Sequence, residues 1–431
     1  MSKGMSKQPM KKLTHFLATM AIGLGAATAA AAASTAPADT ALVQRGEYLS
    51  RAGDCMACHS AVGKPAYSGG LAIDSGHGTI YSTNITPDQQ HGIGNYSLQQ
   101  FSDAVRKGVR ADGTHLYPAM PYPSYVKVSD DDMKALYAYF MNGVKPTAYV
   151  PPATNMSFPF NMRWGMGFWN YFFASDQPFK ARQGWNAEVT RGAYLVEGLG
   201  HCGSCHTARG FAMNEKASDS GNASFLNGGE LNGWPVPSLR GMPNWNEDVI
   251  VDYLQTGRNQ SASVAGEMTS VIEHSTSHMS HDDLKSIAVY LKTLSPVPAR
   301  SSGVTPEGRD KTIAKLTAAK DLSLGQRLYL DNCAACHFVT GKGASRIFPA
   351  IDGATVVNAE NPTALIHVIL NGARTPSTAK APSILVMPGF GRRLSDSEAA
   401  ALATFLRQGW NNSAEAVSDS DVAKVRAKSG K

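Results

Sequence analysis

An all-α fold of three tandem helical units is what this sequence predicts, and three observations carry it. The motif Cys-x-x-Cys-His occurs three times, as Cys55-Met56-Ala57-Cys58-His59, Cys202-Gly203-Ser204-Cys205-His206 and Cys333-Ala334-Ala335-Cys336-His337, and uses every cysteine in the chain. A segment of helical character bearing Gly and Tyr precedes each motif. Well downstream of each stands a Ser followed by acids and then by apolar residues at i, i+3, i+4 spacing. Order and spacing repeat three times, the mark of an internal repeat. A length of 431 residues agrees with about three domains at roughly 150 residues each.

Residues 1–33 read as a secretory signal peptide. Lys3, Lys7, Lys11 and Lys12 form a basic start, Phe16 to Ala33 is apolar, and Ala31-Ala32-Ala33 offers a cleavage site. The first unit spans 41–146, with Arg45-Gly46-Glu47-Tyr48-Leu49 ahead of its motif and Ser129-Asp130-Asp131-Asp132 opening its closing helix. Residues 147–186 form an aromatic linker. The second unit spans 187–296, from Arg191-Gly192-Ala193-Tyr194-Leu195 to Ser280-His281-Asp282-Asp283-Leu284. A Pro/Gly/Ser linker covers 297–320. The third unit spans 321–411, from Gly325-Gln326-Arg327-Leu328-Tyr329 to Ser395-Asp396-Ser397-Glu398, and a polar tail covers 412–431. Ser at the cap with acids in the first turn satisfies free N–H groups and suits the helix dipole. The Gly of each opening helix lets the closing helix cross it closely.

Cys-x-x-Cys-His is the attachment signature of c-type haem. Both thiols form thioethers with the haem vinyl groups, and the adjacent His reaches the iron. A redox dithiol has no need of that His, and zinc needs further ligands at a matching spacing. Three motifs therefore predict three covalently bound haem c groups. They are held by Cys55, Cys58, Cys202, Cys205, Cys333 and Cys336, with His59, His206 and His337 as proximal ligands. Helix, haem motif, long loop and closing helix is the arrangement of a cytochrome c domain. The haem supplies apolar surface that so small a unit lacks.

The second axial position separates electron transfer from chemistry on a bound molecule. Met120, Met268 and Met387 lie 65, 66 and 54 residues after the first Cys of their units. Met120 and Met387 precede Pro, which holds them extended. In the second unit His278 is an alternative ligand, with Met279 and His274 nearby. His77, His91, His115, His201, His281 and His367 read as surface or loop residues.

Composition excludes other classes. The chain is 43% hydrophobic and 17% charged, which is globular. No apolar run of 18 residues occurs outside the N-terminus, so the chain is not polytopic. Net charge is +6, but without residues 1–33 the balance is 36 basic to 34 acidic residues, which predicts no nucleic-acid partner. No nucleotide-binding, P-loop, nucleophile-elbow or zinc-protease motif is present, so the chain is not catalytic alone and carries no catalytic residue. Between the first two units, eight of the 16 residues 158–173 are aromatic. On a helix Trp164, Phe168, Trp169 and Phe172 form one apolar face with Arg163 beside it. Such a stretch marks a membrane or partner surface, or a seam between the chain's own units.

With these motifs, the loop Tyr117-Pro118-Ala119-Met120-Pro121-Tyr122 and the aromatic stretch, residues 41 to 410 resemble a known family. It is the triheme cytochrome c subunit of bacterial membrane-bound dehydrogenases: flavin-dependent gluconate 2-dehydrogenase, related sugar and polyol dehydrogenases, and quinoprotein alcohol dehydrogenase. Asn84-Ile85-Thr86-Pro87-Asp88, Gly228-Gly229 with Gly233-Trp234, Gly257-Arg258-Asn259, and Met268 through His274-Ser275-Thr276 to Met279 also match. In the second unit the shorter Ser238–Trp245 segment replaces the loop that relatives often carry. The resemblance implies that Met268 is an axial ligand. It implies an electron-transfer subunit, exported and peripherally attached to the periplasmic face of the inner membrane. Its partners would be a catalytic flavoprotein or quinoprotein subunit, a third small subunit, ubiquinone and the membrane surface. The competing readings are a stand-alone periplasmic haem enzyme and a free multihaem electron shuttle.

Overall fold

A computed structural model describes residues 39–296 and 306–429, and Ala38–Lys431 forms one compact unit. The signal peptide expected over 1–33 lies outside the described residues. Helices dominate, and the opening and closing helices of the sequence units are paired. Thr40–Ala52 packs on Asp130–Asn142, Ala187–Tyr194 on His281–Thr293, and Leu324–Asn332 on Asp396–Gln408. Each pair crosses at the Gly that the sequence singles out. A Cβ on Gly46 would stand 2.0 Å from the Ala135 carbonyl oxygen. On Gly192 it would stand 1.9 Å from that of Ser286, and on Gly325 2.3 Å from that of Ala401. Ser129, Ser280 and Ser395 accept the backbone N–H of Asp132, Asp283 and Glu398, so each closing helix starts where its Ser-acid signature places it.

The first two units share one hydrophobic core, running from Leu49 and Phe140 to Leu195, Tyr290 and Leu294; the third has its own, around Tyr329, Leu402 and Trp410. The shared core is locked by a reciprocal pair of tyrosines. Tyr48 of the first unit donates to Asp283 (2.5 Å) and accepts from the Ser280 N–H (3.2 Å), at the start of the second closing helix. Tyr194 of the second unit donates to Asp132 (2.6 Å) and accepts from the Ser129 N–H (3.1 Å), at the start of the first. Arg191 holds Asp283 bidentately at 2.7 Å, and Arg45 holds Asp132. Burial pushes the Asp283 carboxyl up, but the Arg191 and Tyr48 hydrogen bonds outweigh it and hold the group below the ordinary carboxylate value.

Four expectations are corrected. The fold is not purely helical: Ala72–Asp74, Gly78–Tyr81 and Asn155–Met156 form an antiparallel sheet, and Gly229–Leu231 pairs with Trp234–Val236. A third two-stranded ladder joins Ala373–Arg374 to Val386–Met387. These ladders close long loops whose backbone groups need partners. The 297–320 linker contains the helix Pro306–Ala318, held by buried Leu316 and the Arg309–Asp352 ion pair at 2.9 Å. The polar tail, read from the sequence as frayed, is packed over its described residues 412–429. Asp419–Ser429 is a helix packed on the third closing helix through buried Val422 and Val425, with Ser418 capping Asp421. His367, expected on the surface, is buried in Thr363–Asn371 and stacks on Trp234 with centroids 4.8 Å apart.

Candidate cofactor-binding sites

The three Cys-x-x-Cys-His motifs lie on short helical turns: Cys55–His59, Gly203–His206 and Ala334–His337. Residues i, i+3 and i+4 of a turn share a face, so each motif presents two sulfurs and one imidazole together. All six cysteines are free. Burial pushes the Cys55, Cys58, Cys202 and Cys333 thiols up to about 12 and Cys205 to about 11. A redox-active dithiol needs the opposite shift. Among the described residues no three His, Cys, Asp or Glu side chains converge into a metal-ion site of their own.

The histidines are held alike. His59 Nδ1 bonds the Thr83 carbonyl at 2.7 Å, His206 Nδ1 that of Pro237 at 2.8 Å, and His337 Nδ1 that of Pro349 at 2.9 Å. A carbonyl only accepts, so each Nδ1 carries the proton and each Nε2 keeps a lone pair. Burial holds all three imidazoles below their ordinary value and therefore neutral. A neutral imidazole with its outer nitrogen pinned to a backbone carbonyl is what an axial iron ligand requires. The residues thus fit covalent haem c.

The chain builds each pin with the same stitch. The carbonyl of the motif His accepts from a downstream Gly N–H: Gly69 at 2.7 Å, Gly228 at 2.8 Å and Gly343 at 3.2 Å. The loop then returns with the carbonyl that receives Nδ1, after 24, 31 and 12 residues from the His. The hairpins of the first two units fill that excursion, and the third unit omits it. In the second unit Asn232-Gly233 turns the hairpin, with φ of 52° and 80°. Asn-Gly suits this turn, which needs φ > 0 at both central residues. The pin of the second unit comes from Pro237, just ahead of the shorter Ser238–Trp245 segment.

The expected sixth ligands are placed as follows. Met120 is half-buried against the shared core in a clamped loop. Tyr117 on one side donates to the Phe160 carbonyl (2.8 Å), and Tyr122 on the other, fully buried, donates to Asn170 (2.6 Å). Met387 packs against the third core and pairs with Ala373. Met268 is half-buried as first residue of the helix Met268–His274. His278 commits Nε2 to the Glu273 carbonyl at 3.1 Å, and Met279 is buried in the shared core.

The aromatic stretch has two faces. Gly165–Phe173 is a helix. Its inner side clamps the Met120 loop, and Trp169 packs on Tyr122 and donates to the Ala212 carbonyl of the second unit at 2.8 Å. Arg163 also turns inward, donating to the His115 carbonyl at 2.9 Å. The outer side exposes Trp164, Phe168, Tyr171 and Phe172, each more than 60% accessible, around a shallow groove. Trp169 and Arg163 therefore leave the face that helical spacing assigns them, and Tyr171 joins it.

Comparison with known proteins agrees with this geometry. The cytochrome c family model matches residues 43–143 and 322–410. The cytochrome c subunit of the quinone-type alcohol dehydrogenase of Gluconobacter oxydans (strain 621H) is 46% identical over 424 residues, covering 96% of this chain and 87% of the relative. The gluconate 2-dehydrogenase cytochrome c subunit of Pantoea cypripedii is 45% identical over 419 residues, 94% of each chain. The fructose dehydrogenase cytochrome subunit of Gluconobacter japonicus is 37% identical over 413 residues, 89% of this chain and 82% of the relative. At such identity over nearly its whole length, this chain belongs to the family of cytochrome c subunits of alcohol and gluconate 2-dehydrogenases.

Proposed function

We propose that this chain is the electron-transfer subunit of a dehydrogenase complex. It takes electrons from a catalytic flavoprotein or quinoprotein subunit and delivers them to ubiquinone at the periplasmic face of the inner membrane. The observation that carries this reading is the imidazole pin repeated at all three Cys-x-x-Cys-His motifs. On this reading the chain has three cytochrome c domains, each holding one covalent haem c, and the threefold pin supports that count. Haem c supplies one-electron exchange at its iron; binding, orientation and water exclusion fall to the protein. Each cysteine pair would hold a haem through two thioethers, each motif His would ligate the iron through Nε2, and Met120, Met268 and Met387 would be the second protein ligands. With a His and a Met both bound, the iron would be closed to small molecules, which separates this role from that of a stand-alone haem enzyme.

The ligand set is testable by Met387→Ala. This variant should open one iron to added cyanide or imidazole and remove its Met-to-iron absorption band. An unchanged spectrum would make Met387 a core residue only.

Peripheral membrane attachment rests on the exposed aromatic face. Among the described residues no helix is long and apolar enough to cross a membrane. Trp164, Phe168, Tyr171 and Phe172 present ring surface to solvent, and burying an apolar side chain fully is worth ~1.5–3 kcal/mol. Four rings half-buried at a lipid interface contribute ~3–6 kcal/mol, enough for reversible attachment. Replacing these four by Ser, with Trp169 kept, should move the complex to the soluble fraction with its haems in place. If attachment and ubiquinone reduction both persist, the face serves another purpose.

A further inference from the structure

We infer that Arg258 binds a propionate carboxylate of a haem at the seam between the second and third units, a role that rests on the three-haem reading above. Arg258 is only 9% exposed, and its Nε has no hydrogen-bond partner. Among the described residues no carboxylate stands within ion-pair distance of it. A buried guanidinium without an anion is among the costliest arrangements in a protein, so a partner outside the polypeptide is called for.

The surroundings supply no partner of their own. Arg258 is opposed by a second guanidinium, Arg346, and the nearby Asp252 is already bonded to Arg346 Nη1. Burial first and Arg346 second hold the Arg258 guanidinium below its ordinary value. The one nearby carboxylate is thus taken by Arg346, and Arg258 is left without an anion of its own.

The backbone around Arg258 is built to hold its position. Gly257 ends the helix Glu247–Thr256 in the left-handed conformation (φ 74°), and the Thr256 hydroxyl donates to the Arg258 carbonyl at 2.6 Å. The Asn259 carboxamide oxygen accepts from the N–H groups of Ser261 (3.0 Å) and Ala262 (2.8 Å). This loop then meets the segment that pins His337: the Arg346 N–H donates to the Asn259 carbonyl at 3.1 Å, and the Ala350 N–H to that of Ser261 at 3.0 Å. Ala350 follows Pro349, the acceptor for His337 Nδ1. In the other direction the loop leads to Met268. Arg258 therefore stands between the segments that serve the second and third motifs, where a planar bidentate donor suits a carboxylate.

The test is a spectroelectrochemical titration of the full haem-loaded chain carrying Arg258→Gln or Arg258→Lys, with haem content measured alongside. A nearby cation disfavours ferric iron, so Arg258→Gln should lower the midpoint potential of one haem and leave the other two unchanged. Arg258→Lys, which keeps the charge, should keep that midpoint close to the unsubstituted value. Repeating the comparison in a chain lacking Cys333 and Cys336 separates the sources: a persisting shift assigns the second haem, a vanished one the third. Three unchanged midpoints at full haem content would overturn the inference. If Arg258→Gln does not mature, the experimental structure of the unsubstituted loaded chain decides: Arg258 lies within hydrogen-bond distance of a propionate, or it pairs elsewhere and the inference fails. Fewer than three haems in the unsubstituted chain would refute the three-haem reading instead.

Discussion

A chain with Cys202 and Cys205 both changed to Ala should mature with two haems in place of three, and its first two units should lose stability together. The second motif adjoins the core those units share: Cys55 and Cys202 both pack against it. The haem ring is larger than any side chain, so its loss exceeds the ~1.5–3 kcal/mol of a buried Leu or Phe. The matching change of Cys333 and Cys336 should weaken the third unit alone, whose core is separate and includes Cys333. Thermal unfolding of both variants, followed at the Soret band, checks this. Equal damage from the two pairs would mean that the core boundary does not divide the chain's response.

Gly192→Val should prevent the second unit from folding. Its Cβ would lie 1.9 Å from the Ser286 carbonyl oxygen and 2.7 Å from the Tyr290 Cβ. A backbone oxygen cannot swing aside, so the two helices must separate. Overpacking commonly costs ~1–3 kcal/mol where side chains give way, and here the cost should exceed that range. Total stabilities are only ~5–15 kcal/mol. Parting these helices also pulls Tyr194 from Ser129 and Asp132, so the first unit should suffer with the second. Secondary structure by circular dichroism and haem yield after expression both report the outcome. Wild-type yield and melting would show that the crossing is looser than 1.9 Å implies.

The legible features were those with a local rule behind them. Ser129, Ser280 and Ser395 announce helix starts because an N-cap is satisfied within three residues. Gly46, Gly192 and Gly325 announce close crossings because only a residue without a Cβ fits. The motifs announce cofactor attachment because spacing alone puts two sulfurs and an imidazole on one face.

What stayed hidden depends on distant partners. Nothing near Tyr48 or Tyr194 in sequence says that each caps the other unit's closing helix, 235 and 62 residues from its Asp. The carbonyls of Thr83, Pro237 and Pro349 are backbone groups that any residue offers, so the imidazole pins leave no side-chain signature. Trp169 and Phe168 are neighbours of one chemical type, and only the packing of Tyr122 turns one inward and the other out. The C-terminal helix could have been read, since Ser418 with Asp421 repeats the capping pattern of Ser395 with Glu398.

The central claim is that three pinned imidazoles serve three covalent haems. Its most direct test is the haem content of the full chain, matured with its attachment machinery and measured by the pyridine haemochrome assay against polypeptide concentration. Three haems per chain is the predicted result; two or fewer in fully matured protein would contradict it.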